Sequence, residues 1–108
     1  MMYFDAKPNI KYQNRTTGLE SYFLSFPDSD MKLEIMYRPS VVQKIESNLH
    51  LGYIHMAFSV GSRAKVEYIT QLLENDGYTV VSRPRITGDG FFESCVLDPD
   101  GNQIEITV

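Results

Sequence analysis

Three side chains in this sequence have types and positions that could do chemistry together: Glu34, His55 and Glu105. Each lies within a run whose apolar residues recur at every second position. The runs are KLEIMY over 32–37, GYIHMAFSV over 52–60 and NQIEITV over 102–108. A strand sends successive side chains to opposite faces. Leu33 and Ile35 therefore oppose Glu34. Ile54, Met56, Phe58 and Val60 oppose His55. Ile104, Ile106 and Val108 oppose Glu105. One carboxylate on the solvated face of an antiparallel sheet is ordinary, and a lone histidine on a strand is more often simply hydrogen-bonded. Three such groups on the same relative face point further. Two carboxylates and an imidazole suit a borderline divalent ion such as zinc, nickel, manganese or iron.

Two of the three are related by a repeat. A shift of 71 residues lays the turn Pro27–Asp30 over Asp98–Gly101, Phe26 over Leu97, Leu33 over Ile104 and Glu34 over Glu105. It also lays Tyr22 over Glu93. Under the same shift the strand of His55 has its counterpart before Met1. The first half is thus expected to lack an opening strand and most of a helix, with Tyr3 to Ala6 as the last turn of that helix.

The elements that must position these residues can be read in order. Residues 9–12 read as a short strand, 19–26 (LESYFLSF) as an aromatic-rich strand, and Lys32 to Tyr37 as its partner. Val41, Ile45 and Leu49 recur every four residues, which predicts a short linker helix within 38–51. After the strand 52–60, Gly61-Ser62 breaks the pattern, and Ser62 is placed to cap a helix. Val66, Ile69, Leu72 and Leu73 give that helix its apolar face, and Gly77 ends it. Residues 78–86 read as a strand that Pro84 confines to an edge or a bend. Phe91 to Leu97 and Asn102 to Val108 are strands joined by the turn Asp98-Pro99-Asp100-Gly101. If that turn carries a glycine bulge, Glu93 and Cys95 share the face of Glu105. Without a bulge, Phe92, Ser94 and Val96 share it. The bulge is preferred, because Gly101 stands where it wants a left-handed residue.

Bulk properties narrow the partners. With 108 residues the chain suits one domain with a modest core. Ten basic against 14 acidic residues, a net charge of −4 and no basic stripe argue against nucleic acid. No apolar run is long enough to span a membrane, and residues 1–5 do not read as a secretory leader. The single cysteine, Cys95, forms no intrachain disulfide, so a reducing cytoplasm is the expected compartment. Its ordinary reading is a small buried hydrophobe.

GYIHMAFSV, the helix ending in NDGY, SRPRITGDGFFES and VLDPDGNQIEITV together resemble the second module of the vicinal-oxygen-chelate superfamily, which includes glyoxalase I, bleomycin-resistance proteins and dioxygenases. ESYFLSF followed by KLEIM resembles the final hairpin of the first module. The resemblance implies an α+β fold of two βαβββ modules forming a curved mixed sheet. The chain would be one glyoxalase-like domain: an incomplete first module over 1–38, a linker over 39–51 and a complete second module over 52–108. It implies a divalent metal held by Glu34, His55 and Glu105. The fourth ligand, a histidine of the opening strand, is not in the chain, and His50 is out of step with the repeat.

The activity implied is a glyoxalase-I-like lyase or isomerase acting on a hemithioacetal or a similar small vicinal-oxygen substrate, with one metal ligand fewer than the family pattern to support it. Glu105 or Glu34 would move the proton between adjacent carbons. Tyr22, Arg85 and Glu93 would contact the substrate. The alternative is a bleomycin-resistance-like binder without metal chemistry, with an acidic face for a cationic ligand and Tyr22, Phe91 and Phe92 for stacking. A fosfomycin-resistance-like thiol transferase is less favoured, since no cationic phosphonate site can be read. Members of the superfamily commonly dimerise. An exposed edge beside the Glu34 strand would favour a homodimer here too.

Overall fold

The computed structural model describes residues 3–40, 42 and 51–108. The predicted linker helix rested on Val41, Ile45 and Leu49, and it lies outside the described residues, as does His50. The chain divides into two compact units, Met1–Gln43 and Lys44–Val108.

The second unit is a complete βαβββ module. Its elements are β5 (His55–Ser59), α1 (Arg63–Asn75), β6 (Val80–Ile86), β7 (Phe92–Leu97) and β8 (Gln103–Thr107). The sheet order is β5-β8-β7-β6. β5 runs parallel to β8, and the other neighbours are antiparallel. Ser62 caps α1 as expected, its hydroxyl accepting from Lys65 N at 3.2 Å. Past the helix, Gly77 takes φ +93°, a left-handed conformation that costs glycine little. Pro84 lies on β6, an outer strand, where a missing N–H costs no ladder bond. The β6–β7 register slips on both sides of Ser82.

The 3.6-residue period of α1 buries Val66, Ile69, Thr70 and Leu73. Ser94, Val96 and Ile106, from one face of β7 and β8, are buried with them. Thr70 Oγ1 donates to Val66 O at 2.6 Å. That uses its one proton, so Ser94 Oγ donates to Thr70 Oγ1, also at 2.6 Å. Thr70→Val therefore strands the Ser94 hydroxyl in the core and is expected to cost about 1–3 kcal/mol. Adding Ser94→Ala removes the orphan, so the double variant should be more stable than the sum of the two single losses predicts. Urea denaturation of all four proteins checks this; strict additivity would contradict the pairing.

The first unit holds β1 (Lys7–Pro8), β2 (Tyr12–Gln13), β3 (Glu20–Ser25) and β4 (Lys32–Tyr37). β1, β2 and β4 all pair antiparallel with β3. The broken β1/β2 strand, β3 and β4 thus correspond to β6, β7 and β8. No counterpart of β5 or α1 stands among the described residues of this unit.

Tyr3 and Phe4 lie in a turn. One local expectation needs correcting. The strand expected over 9–12 is instead split into β1 and β2. Asn9 lies in the gap, its N–H donating to Phe23 O at 3.0 Å and its Oδ1 accepting from Phe23 N at 2.8 Å. The side chain does the work of a backbone carbonyl, so the ladder continues while the strand breaks.

Candidate active site

The β7–β8 hairpin decides which side chains meet. Asp98 N donates to Asn102 O at 2.9 Å, and Gly101 N to Asp98 O at 3.0 Å, with Gly101 at φ +80°. This is a three-residue loop whose left-handed glycine makes the bulge. Asp98 Oδ1 also accepts from the N–H groups of Asp100 and Asn102, which secures the turn. The register is therefore Cys95 opposite Glu105 and Glu93 opposite Thr107, with Ser94 opposite Ile106 on the helix side. Glu93, Cys95 and Glu105 share the face turned away from α1, as the bulge reading expects.

β5 brings the imidazole to the same face. Parallel pairing sets His55 across from Gln103 and Ala57 across from Glu105. His55 Nε2 and Glu105 Oε2 stand 3.2 Å apart, with the histidine side chain 39% and the glutamate 23% exposed. Two ligand atoms each bonded to one ion at about 2.1 Å are separated by roughly 3.0–3.4 Å at angles between square and tetrahedral. The observed pair lies within that span without rearrangement. Imidazole nitrogen and carboxylate oxygen are also the donors a borderline divalent ion takes. The pair therefore fits such an ion. No group of three histidine, cysteine or acidic side chains placed to hold one occurs among the described residues.

Arg85 lies opposite Glu93 in the β6–β7 register, and its Nε donates to Ser82 Oγ at 3.0 Å. Ser82 thus orients Arg85, a role that sequence reasoning missed because the bulges in β6 scramble the simple alternation. Asp89 accepts from the Thr87 hydroxyl in the following loop. Burial holds the Glu93 carboxyl above its usual range. The neighbouring charges of Glu105 and Asp89 add to the effect, and Arg85 and His55 partly offset it. The Cys95 thiol is also pushed up, first by burial and then by Glu105 and Glu93. Its Sγ donates weakly to Gln103 Oε1 at 3.6 Å. A thiol held protonated is a poor nucleophile, which supports the ordinary reading of Cys95.

Glu93 carries a pH prediction. A carboxyl whose folded pKa exceeds its unfolded value stabilises the fold only at low pH, and that contribution is lost as pH rises through the folded pKa. Glutamine has no charge to desolvate. The melting temperature of Glu93→Gln relative to wild type is expected to rise between pH 4 and pH 7. A difference that does not change with pH would contradict it.

Glu34 and Tyr22 lie in the first unit. Glu34 pairs across β3–β4 with Phe23, and Tyr22 pairs with Ile35. Tyr22 therefore stands on the face opposite Glu34, so the alignment of Tyr22 with Glu93 does not hold. The first hairpin leaves six residues between Ser25 and Lys32, and the second leaves five between Leu97 and Gln103. The 71-residue shift valid for β4 and β8 thus becomes 72 for β3 and β7. One residue of slip turns a side chain to the other face. The counterpart of Glu93 is Ser21, and that of Cys95 is Phe23. Phe92 also leaves the list of stacking candidates, because Arg63 of α1 lies over its ring, 5.0 Å from the centroid. Phe91, just before β7, remains 55% exposed.

Comparisons with known proteins agree with this geometry. Among solved structures, a glyoxalase family protein from Enterococcus faecalis aligns with 98% of this chain and 80% of its own, at 19% identity and a TM-score of 0.75. A glyoxylase/bleomycin resistance protein/dioxygenase domain from Frankia sp. EAN1pec aligns over the same shares at 14% identity and a TM-score of 0.80. Glyoxalase I from Zea mays aligns with 97% of this chain and 36% of its own, at 19% identity and a TM-score of 0.74. These identities speak for the fold alone. No curated protein matches in sequence. No helix among the described residues is long and apolar enough to cross a membrane. The family model for the Glyoxalase/Bleomycin resistance protein/Dioxygenase superfamily matches residues 6–106, and with the βαβββ module of the second unit this places the chain in that superfamily.

Proposed function

We propose that the protein is a glyoxalase-I-like lyase or isomerase that moves a proton between adjacent carbons of a hemithioacetal or a similar small vicinal-oxygen substrate. The observation that carries this reading is the His55–Glu105 pair, convergent at 3.2 Å on the face away from α1. A divalent ion held there would polarise the two vicinal oxygens of the substrate. His55 and Glu105 are the proposed ligands of the second module. Glu34 is proposed as a third donor on the repeat and the family resemblance alone. Glu105 would also take the proton from one carbon and return it to the next, with Glu34 as the other candidate base. Arg85, oriented by Ser82, would bind an anionic group of the substrate, and Glu93, opposite Arg85 in the strand register, would contact the substrate beside it. We also propose that the chain acts as a homodimer, as superfamily members often do, and that it works in the reducing cytoplasm.

A second reading has its own support. Glu93, Glu105 and Asp89 gather negative charge, and Phe91, two residues along the chain from both Asp89 and Glu93, has an exposed ring. That combination suits a cationic aromatic ligand bound without metal chemistry, as in a bleomycin-resistance-like protein. Elemental analysis after loading with zinc, nickel, manganese or iron separates the two. The lyase reading expects about one ion per chain in the wild type and a marked loss in His55→Ala, followed by turnover in a hemithioacetal isomerisation assay. A wild type that takes up none of the four under any loading would end that reading and leave the binder.

A further inference from the structure

The two units treat equivalent strands differently. In the second unit the outer edge of β8 is covered by β5. In the first unit β4, the repeat counterpart of β8, pairs only with β3 among the described residues. Its outer edge is six residues long, and its side chains are open. Met31, just before it, is 78% exposed, Ile35 48% and Tyr37 60%. A long edge of this kind is a template for another strand unless it is blunted.

The residues along this edge are charge-complementary to their own reversed order. Met31-Lys32-Leu33-Glu34-Ile35 is apolar, cation, apolar, anion, apolar. An antiparallel partner of the same sequence, centred on Leu33, sets Lys32 opposite the second copy's glutamate and Glu34 opposite its lysine. On the other face Leu33 meets its own copy, and Met31 meets isoleucine twice. Neither Lys32 nor Glu34 has an ion-pair partner among the described residues. Opposite charges directly across a strand pair stabilise it, and like charges disfavour it. The other outer strands lack this code. β6 carries Pro84 between Arg83 and Arg85, which removes a donor and gathers like charge. β5 has no acid–base pair to set a register.

We infer that β4 is a self-recognition edge, on which a second copy of this chain adds its own β4 antiparallel, centred on Leu33, with two reciprocal Lys32–Glu34 pairs. The inference rests on the homodimer reading and gives it a surface and a register. A carboxylate has two oxygens, so a Glu34 that takes a lysine on one keeps the other.

Sedimentation equilibrium at low ionic strength, with a chelator present to remove any metal effect, tests it on the full chain. Lys32→Glu and Glu34→Lys each set like charges opposite one another twice, and each is expected to weaken dimerisation about tenfold. Combining them restores opposite charges in the same register and should bring the dissociation constant back to within about twofold of wild type. Leu33→Cys is expected to form a disulfide-linked dimer under mild oxidation, because facing Cα atoms of a strand pair lie within disulfide reach. Circular dichroism checks that all variants fold. A monomeric wild type overturns both the homodimer reading and this pairing. A dimer indifferent to all the charge changes leaves the homodimer standing and overturns the pairing. A segment of another protein on this edge would show as a monomer in the purified chain, which also overturns it.

Discussion

Ile106→Ala is expected to destabilise the protein by about 2–5 kcal/mol, the range for removing a large aliphatic side chain from a core that cannot fully collapse. Ile106 has no exposed surface and lies on β8, between β5 and β7 and under α1. Its neighbours in the helix and the adjoining strand, Val66 and Val96, are themselves buried, so little can move in to fill the space. The loss is a large fraction of the whole stability of a small domain, about 5–15 kcal/mol. A control lies just past the strand. Val108 has the same alternation and is 46% exposed, so Val108→Ala should change stability by only about 0.5 kcal/mol. Urea midpoints for the two variants check the contrast. Equal effects would mean that the α1 side of β8 is not the centre of the core.

The contrast also shows what sequence could and could not resolve. Alternation identifies the inward face of the last strand, yet Ile104, Ile106 and Val108 look alike until the position of the helix is known. β4 was legible to its ends, because KLEIMY alternates cleanly between a Pro-Asp turn and Arg38-Pro39. α1 was legible because Ser62 and Gly77 bracket an apolar stripe. The β7–β8 face assignment was legible through Gly101, whose left-handed conformation sets the bulge and hence the company of Glu105. The split between β1 and β2 was not, since it depends on the Asn9 side chain meeting Phe23, 14 residues away. Nor was the face of Tyr22. That depends on one extra residue in the first hairpin, which a single shift along the chain cannot represent.

The prediction with the largest effect on activity is Glu105→Gln. Glutamine matches glutamate in size, so the hairpin should keep its register and the melting temperature should change little. What disappears is the negative charge and the capacity to carry a proton. General base catalysis contributes about 10²–10⁴-fold. Turnover of a hemithioacetal substrate should fall by at least that factor, and further if the ion is also lost, because one of the two convergent donors becomes neutral. Metal content separates the two effects. Metal retained with kcat lost assigns the proton transfer to Glu105, whereas metal lost along with activity assigns it a ligand role at least. Glu34→Gln, measured in parallel, asks whether the carboxylate related by the repeat shares either role. Full turnover in Glu105→Gln with metal still bound would remove Glu105 from the chemistry and make Glu34 the base to test. If Glu34→Gln then proved equally active, proton transfer by these carboxylates would be untenable, and the acidic face would be better explained as a site for a cationic ligand.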